Sequence, residues 1–249
     1  MLVSIIMPYF KSEIYISKVI NSVKNQSYKN WELIIIDDEN SKKSKKILEF
    51  YKNNKKIKIY HNKKRLGAGR SRNIGVEKSK GELIAFLDSD DLWKRKKLFT
   101  QINEMKKRNL DLCFTAYECI NEKSKILYRV SAEKNLDYKK LISACNIACS
   151  STLIKKKIFN KIKFNNFKTK EDYSLWLKIS RLEYKIGGIN KILTTYLSRS
   201  SSLSSNHLNK INNAFLIYKK ENNFGVIYSI YSVFRLYFNA FRKKFLRNF

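Results

Sequence analysis

The chain has 249 residues, of which 43% are hydrophobic and 13% aromatic, a composition that suits a folded domain with a sizeable core and excludes a disordered chain. Lys and Arg number 52 against 21 Asp and Glu, a formal net charge of +31. The expected partners are therefore anionic: nucleic acid, an anionic membrane surface, or phosphate-bearing small molecules.

A solvated Lys-rich surface would account for the same excess, and no RNA-recognition, zinc-finger or helix-turn-helix signature is present. Cys113, Cys119, Cys145 and Cys149 have no CxxC spacing, and the only histidines are His61 and His207. A zinc site is not expected, and the cysteines read as reduced thiols of a cytosolic protein. MLVSIIMPYF has no charged leader, and no run of about 18 uncharged apolar residues occurs, so neither secretion nor a spanning helix is expected.

In chain order, Leu2 to Met7 reads as a short strand that Pro8 closes. Ile16, Val19, Ile20 and Val23 recur at i, i+3, i+4, i+7 and predict a helix with one apolar face. Trp31 to Ile36 predicts a second, buried strand that runs into Asp37 and Asp38. Ser41 is placed to cap a second helix with Ile47, Leu48 and Tyr51 inward. Ile57 to Tyr60 predicts a third strand, Gly67-Ala68-Gly69-Arg70 opens a third helix, and Leu83 to Leu87 predicts a fourth strand ending at Asp88.

This strand-helix order predicts an α/β fold whose parallel sheet binds ligands beyond the carboxyl ends of its strands. Asp37-Asp38 and Asp88 to Asp91 would share that crevice. A helix from Leu92 to about Arg108 is expected to bury Leu98, Ile102 and Met105, followed by a strand from Leu110 to Thr115. The pattern is then mixed, with helices near Tyr138 to Cys145 and Asp172 to Leu182, a short run from Ser151 to Ile154, and a polar loop from Ser198 to Ser205.

From Asn223 onward, aromatic and aliphatic residues crowd one segment with Arg235, Arg242, Lys243, Lys244 and Arg247 and no acid. Such a helix suits the plane of an anionic membrane interface; packing on the main domain with a basic tail in water is the alternative.

In this Lys-dominated chain, three of the four residues Asp88-Ser89-Asp90-Asp91 are acidic and follow a buried strand. A hard divalent cation would offset their repulsion, since Mg²⁺ or Mn²⁺ takes one or two carboxylates together with substrate phosphates. The plainer alternative is an acidic turn, with Asp91 capping the next helix.

The segments VSIIMPYF, NQSYKNWELIIIDD, GAGRSRNIG and GELIAFLDSDDLW, in this order, resemble family-2 glycosyltransferases of the GT-A fold. The likeness continues through KEDYSLWLKI and YLSRSSSLSSN, covers roughly residues 1–206, and points to bacterial surface-polysaccharide assembly. It implies a GT-A domain over 1–206, with a nucleotide-binding half at 1–115 and an acceptor half at 116–206. Residues 207–249 would form a helical, basic-aromatic extension. The sheet would be Rossmann-like and mostly parallel, flanked by helices, with a mixed second half.

The resemblance further implies a donor that is a nucleotide diphosphate sugar, namely a UDP-sugar, bound by Pro8, Tyr9, Asp37, Asp38, Arg70, Arg72, Asp88 and Arg199. Asp88 and Asp90 would hold Mn²⁺ or Mg²⁺, with Asp90 the more direct contact. Asp172 would be the base that deprotonates a saccharide or polyprenyl-linked acceptor, inverting the anomeric centre. For Arg70 and Arg72 a plain surface role is the alternative, for Asp38 a turn, for Asn73 a cap, and for Glu171-Asp172 a helix N-terminus. Leu197 and Arg199 stand where the commonest family pattern has Arg and His, which leaves phosphate pairing to Arg199. The expected location is cytoplasmic, peripheral to the inner face of the cell membrane. The rival functions are a metal-dependent nucleotidyltransferase and a non-catalytic module for anionic membrane or nucleic acid.

Overall fold

The computed structural model describes residues 1–199 and 207–245. Apolar runs in the first half form strands of a parallel sheet: β1 (Val3–Tyr9), β2 (Trp31–Asp37), β3 (Ile57–His61) and β4 (Leu83–Phe86). Helices α1 (Ile16–Lys24), α2 (Lys42–Glu49) and α3 (Ala68–Lys78) connect them. The order β3-β2-β1-β4 is parallel throughout, so β1, β2 and β4 all end at one edge.

Their apolar residues alternate between two faces, as the two-residue period of a strand requires. Ile6, Ile34, Ile36, Ile84 and Phe86 pack on one side; Ile5, Met7, Leu33, Ile35, Ala85 and Leu87 pack on the other with α1. Ser41 caps α2 through a reciprocal box with Ser44, as its position predicts.

β1 runs through Pro8 instead of stopping there. Ile6 offers its carbonyl to Leu87 on the β4 side, so Pro8, two residues on, turns its missing N–H to the same side. Pairing with β4 has already ended at Ile6–Phe86, and no ladder bond is lost.

The second half is mixed. β9 (Thr152–Lys155) runs antiparallel between β4 and β6 (Leu112–Asn121), and β6 is parallel to the long β10 (Ile186–Ser198). The helix expected from Leu92 begins later: Leu92–Trp93 is a short strand, β5, paired with Thr194–Thr195, and α4 spans Lys97–Arg108. Outer strands β7 (Ile126–Val130) and β8 (Asn135–Leu136) pair with β6 and β10. Helices α5 (Tyr138–Ser143) and α6 (Glu171–Arg181) complete this half. The division expected at residue 115 falls inside β6, so the two halves share one sheet.

Helices α7 (His207–Leu216) and α8 (Val226–Phe245) close the chain. Ala214, Ile217, Tyr218 and Leu236 are buried in the same cluster as Leu175, Trp176 and Ile179 of α6. The C-terminal segment is thus packed on the main core, while α8 keeps one exposed apolar face.

Candidate active site

The site forms where β1, β2 and β4 end. After β4 the chain turns through Asp88 to Asp91, and bonds from outside and within fix the turn. The Asp88 N–H donates to Ser150 Oγ (3.0 Å), Ser89 Oγ donates to Ser12 Oγ (2.8 Å), and the Asp91 N–H donates to the Asp88 carbonyl (3.1 Å). Trp93 Nε1 donates to the Ser150 carbonyl (2.8 Å) and locks the support in place.

Asp91 does not cap a helix. It is 1% exposed, and its Oδ1 accepts the N–H of Leu197 on β10 (2.9 Å). Burial, then the charges of Asp90 and Asp88, push its carboxyl far above the usual range.

Arg72 is the hub. Its Nη2 donates to Asp88 Oδ1 (2.6 Å) and its Nη1 to Glu171 Oε1 (2.7 Å), with the guanidinium 4% exposed. Burial works against its charge, but Asp88 and Glu171 outweigh it and hold the guanidinium firmly protonated. The side chain reaches this point because α3 lies close on the sheet: a Cβ on Gly75 would collide with Ile6 of β1. Gly69, Arg72 and Val76 lie on the buried face of α3, a spacing visible in the sequence that separates Arg72 from Arg70. Arg70 instead donates from Nε to Asn166 Oδ1 (2.6 Å) at the surface. Asn73 exchanges two bonds with the Phe164 backbone (2.9 and 3.0 Å) and acts as a brace.

Glu171 and Asp172 open α6. Burial raises both carboxyls, and Arg72 lowers both. Asp172 Oδ1 accepts its neighbour's Tyr173 N–H (2.7 Å). Arg72 therefore joins the acidic turn to this acidic pair, a link the sequence reading did not foresee. Trp176, fully buried, belongs to the core.

Asp90 faces Arg199, whose Nε lies 2.8 Å from Asp90 Oδ2 as an ion pair without hydrogen-bond alignment. Arg199 also donates to the Lys11 carbonyl (3.1 Å) and lies over the Tyr15 ring. Burial and then Asp88 push the Asp90 carboxyl up to about 6, against the pull of Arg199. Ser200 to Asn206 of the expected polar loop lie outside the described residues.

At the end of β2, Asp37 is fully buried and both oxygens are occupied. Oδ1 accepts from the N–H groups of Glu39 and Asn40, while Oδ2 meets Ser44 Oγ and His61 Nδ1, each at 2.8 Å. These four internal partners make Asp37 an organiser of the turn into α2. Asp38 accepts from Asn62 Nδ2 (2.8 Å) and from the N–H groups of Leu66 (2.7 Å) and Gly67 (2.8 Å). It shapes the loop before α3, where Gly67 adopts φ 86°, a conformation suited to glycine. Pro8 and Tyr9 are also buried within β1. The half-buried aromatic face after them is Phe10, with the Arg65 guanidinium 4.0 Å from its centre.

No group of three or more His, Cys, Asp or Glu side chains that could hold a metal occurs among the described residues. The donor set nevertheless fits a hard cation. Asp88 and Asp90 are neighbouring oxygen donors, and two carboxylates plus phosphate oxygens make up the usual Mg²⁺ arrangement.

Acidic residues at the carboxyl edge of a Rossmann-like sheet, with a second acidic pair beside them, define a nucleotide-sugar transferase of the GT-A type. Residues 4–163 match the family described as Glycosyl transferase family 2. The chain belongs to that family and is a glycosyltransferase. It is 39% identical over 213 residues, 84% of this chain and 82% of the relative, to the UDP-Glc:alpha-D-GlcNAc-diphosphoundecaprenol beta-1,3-glucosyltransferase WfgD of Escherichia coli. S. aureus TarS 1-349, in complex with UDP-GlcNAc, aligns with a TM-score of 0.72 at 20% identity, over 92% of this chain and 69% of that one. The mannosyltransferase PcManGT of Pyrobaculum calidifontis, in complex with GDP-Man and Mn2+, aligns with a TM-score of 0.70 at 13% identity over 92% and 69%.

Proposed function

We propose that the protein transfers a sugar from a UDP-sugar to a saccharide carried on a polyprenyl diphosphate, in surface-polysaccharide synthesis at the inner face of the cell membrane. The observation that carries this reading is Arg72, which bridges Asp88 of the acidic turn and Glu171 of the second acidic pair. The substrate classes are supported by the 39% identity to a transferase whose name gives UDP-Glc and a diphosphoundecaprenol acceptor.

Asp172 takes the proton from the acceptor hydroxyl, an effect worth about 10²–10⁴-fold. The hydroxyl oxygen attacks the anomeric carbon, and the sugar–phosphate bond breaks with its electron pair leaving on the nucleoside diphosphate. One displacement inverts the anomeric centre. Burial holds the Asp172 carboxyl above the ordinary range, which makes it a stronger base than a solvated carboxylate. Asp88 and Asp90 would hold Mn²⁺ or Mg²⁺, and such a cation would stabilise the charge developing on the departing diphosphate. Arg199 and Arg65 supply positive charge at the nucleotide side, Phe10 a flat face for the base, and Asp38 the loop that shapes the pocket. Pro8 and Tyr9 form its floor. Arg72 positions Asp88 and Glu171, and Arg70 stays at the rim.

The test is a screen of nucleotide sugars against a polyprenyl-diphosphate-linked acceptor, reading release of UDP and glycosylated lipid. Transfer of a nucleoside monophosphate from a nucleoside triphosphate to an acceptor, with diphosphate released, would instead support the nucleotidyltransferase reading.

A further inference from the structure

Helix α8 carries an exposed apolar stripe that the catalytic reading leaves unused. Ile227, Ile230, Tyr231, Phe234, Phe238 and Phe241 are between 48% and 86% exposed. At 3.6 residues per turn they fall within about 100° of arc. The opposite face holds Ser229, Ser232 and Leu236, all buried against the body. So regular a division is not a frayed end: the helix is docked by one side and offers the other.

Charge selects the occupant. α8 has no acidic residue, Arg235 and Arg242 are exposed along one flank of the stripe, and the whole chain carries +31. A second copy laid on the stripe would bring like charges together, whereas an anionic lipid surface complements them. Among the described residues no helix is long and apolar enough to cross a membrane, so the stripe would lie in the interface plane.

The buried side of α8 touches the segment that leads into Asp172. The Tyr237 ring lies 5.2 Å from Lys170 Nζ, which also sits 5.7 Å from the Tyr173 ring. Asn239 Nδ2 donates to the Ser143 carbonyl at the end of α5 (2.9 Å). On the neighbouring helix α7, Asn213 Nδ2 donates to Thr169 Oγ1 (2.9 Å) and to the Thr169 carbonyl (3.2 Å). One helix thickness, about 10–12 Å, thus separates the apolar stripe from residues 169–170.

We infer that α8 is an in-plane membrane anchor that inserts Ile227, Phe234 and Phe238 into an anionic bilayer and thereby turns the Asp172 edge of the site toward lipid-borne acceptors. The anchoring part stands without the proposed function; the orientation of Asp172 rests on it.

The full chain is mixed, without nucleotide, with phosphatidylglycerol-containing vesicles and with pure phosphatidylcholine vesicles, and co-sedimentation is read. Wild type should pellet with the anionic vesicles, less so as salt rises. The exposed-surface variant I227S/F234S/F238S should lose at least about tenfold of that binding, and R235E/R242E should lose the preference for anionic lipid. Circular dichroism and melting of the triple variant, compared with wild type, report whether it is folded. A folded triple variant that pellets like wild type overturns the inference, as does a wild type that ignores both vesicles. Concentration-dependent dimerisation that the triple variant abolishes, without vesicle binding, would assign the stripe to a second copy and also overturn it. Transfer separates the two proposals. The triple variant should keep turnover on a water-soluble acceptor and lose it on a vesicle-embedded one; equal loss on both overturns the orientation. Absence of transfer in wild type with intact vesicle binding counts against the catalytic reading alone.

Discussion

Arg72 donates to Asp88 at 2.6 Å from a position almost closed to solvent, so a charge on α3 is one of the ties that hold the acidic turn. Without Arg72 the partly buried carboxylates Asp88 and Glu171, 30% and 12% exposed, lose their shared cation and must shift, take up a proton or turn to solvent. Arg72→Met should lower unfolding free energy by about 1–3 kcal/mol, read by urea denaturation. Arg72→Lys, which keeps the charge but cannot bridge two carboxylates with a planar fork, should recover part of that stability and little of the turnover.

Asp90→Ala should abolish the rise in melting temperature that UDP with Mn²⁺ gives the wild type. The same variant with UDP and no metal should match the wild type without metal. An unchanged shift with Mn²⁺ would remove Asp90 as the ion's anchor.

Asp172→Asn should cut kcat by about 10²–10⁴-fold and leave the UDP-dependent thermal shift intact, since only the base is lost. Burial raises the Asp172 carboxyl, and the proposed base must be ionised to take a proton. The acid limb of the wild-type pH–rate profile should therefore fall at a higher pH than for an ordinary aspartate. A limb near pH 4, the ordinary carboxylate value, would contradict the assignment.

Lys97 gives a pH signature in stability. It is fully buried, donates to Gln101 Oε1 (2.7 Å), and burial pushes it down to about 7. The unfolded chain keeps the proton up to about pH 10.4. Between these values unfolding takes up a proton, so raising the pH from about 7 toward 10 should favour the folded state by on the order of 1.4 kcal/mol per unit. Lys97→Met should flatten this slope in denaturation curves measured across that window.

Much of the nucleotide half was legible because its strands are buried on both faces and read as unbroken apolar runs: Leu33 to Ile36, and Leu83 to Leu87. The acidic turn was legible for the opposite reason, as carboxylates clustered in a chain dominated by Lys. What failed was short or irregular. β5 has two residues, too few to show a period, and was absorbed into the helix after it. β10 went unread because Gly187 and Gly188 interrupt its apolar pattern and its pairing with β6 shifts register between Ile189 and Thr194. A Cβ at Gly188 would collide with the Glu133 carbonyl, so that glycine answers to a neighbour about fifty-five residues earlier in the chain. A strand's end locates the Asp37 carboxylate without telling which way it turns, so its bonds to Ser44 and His61 are not legible in the sequence.

The bond from the Leu197 N–H to Asp91 spans 106 residues of sequence. On the ribosome, every carboxylate of the acidic turn emerges long before the strand that supplies this bond. Contacts this remote form late, because chain closure must precede them. A growing chain should therefore pass through a stage in which the first strands are folded and the acidic residues are present but the turn lacks its tie to β10. The shape of the acidic turn is thus completed only when the last strand of the sheet among the described residues has joined it.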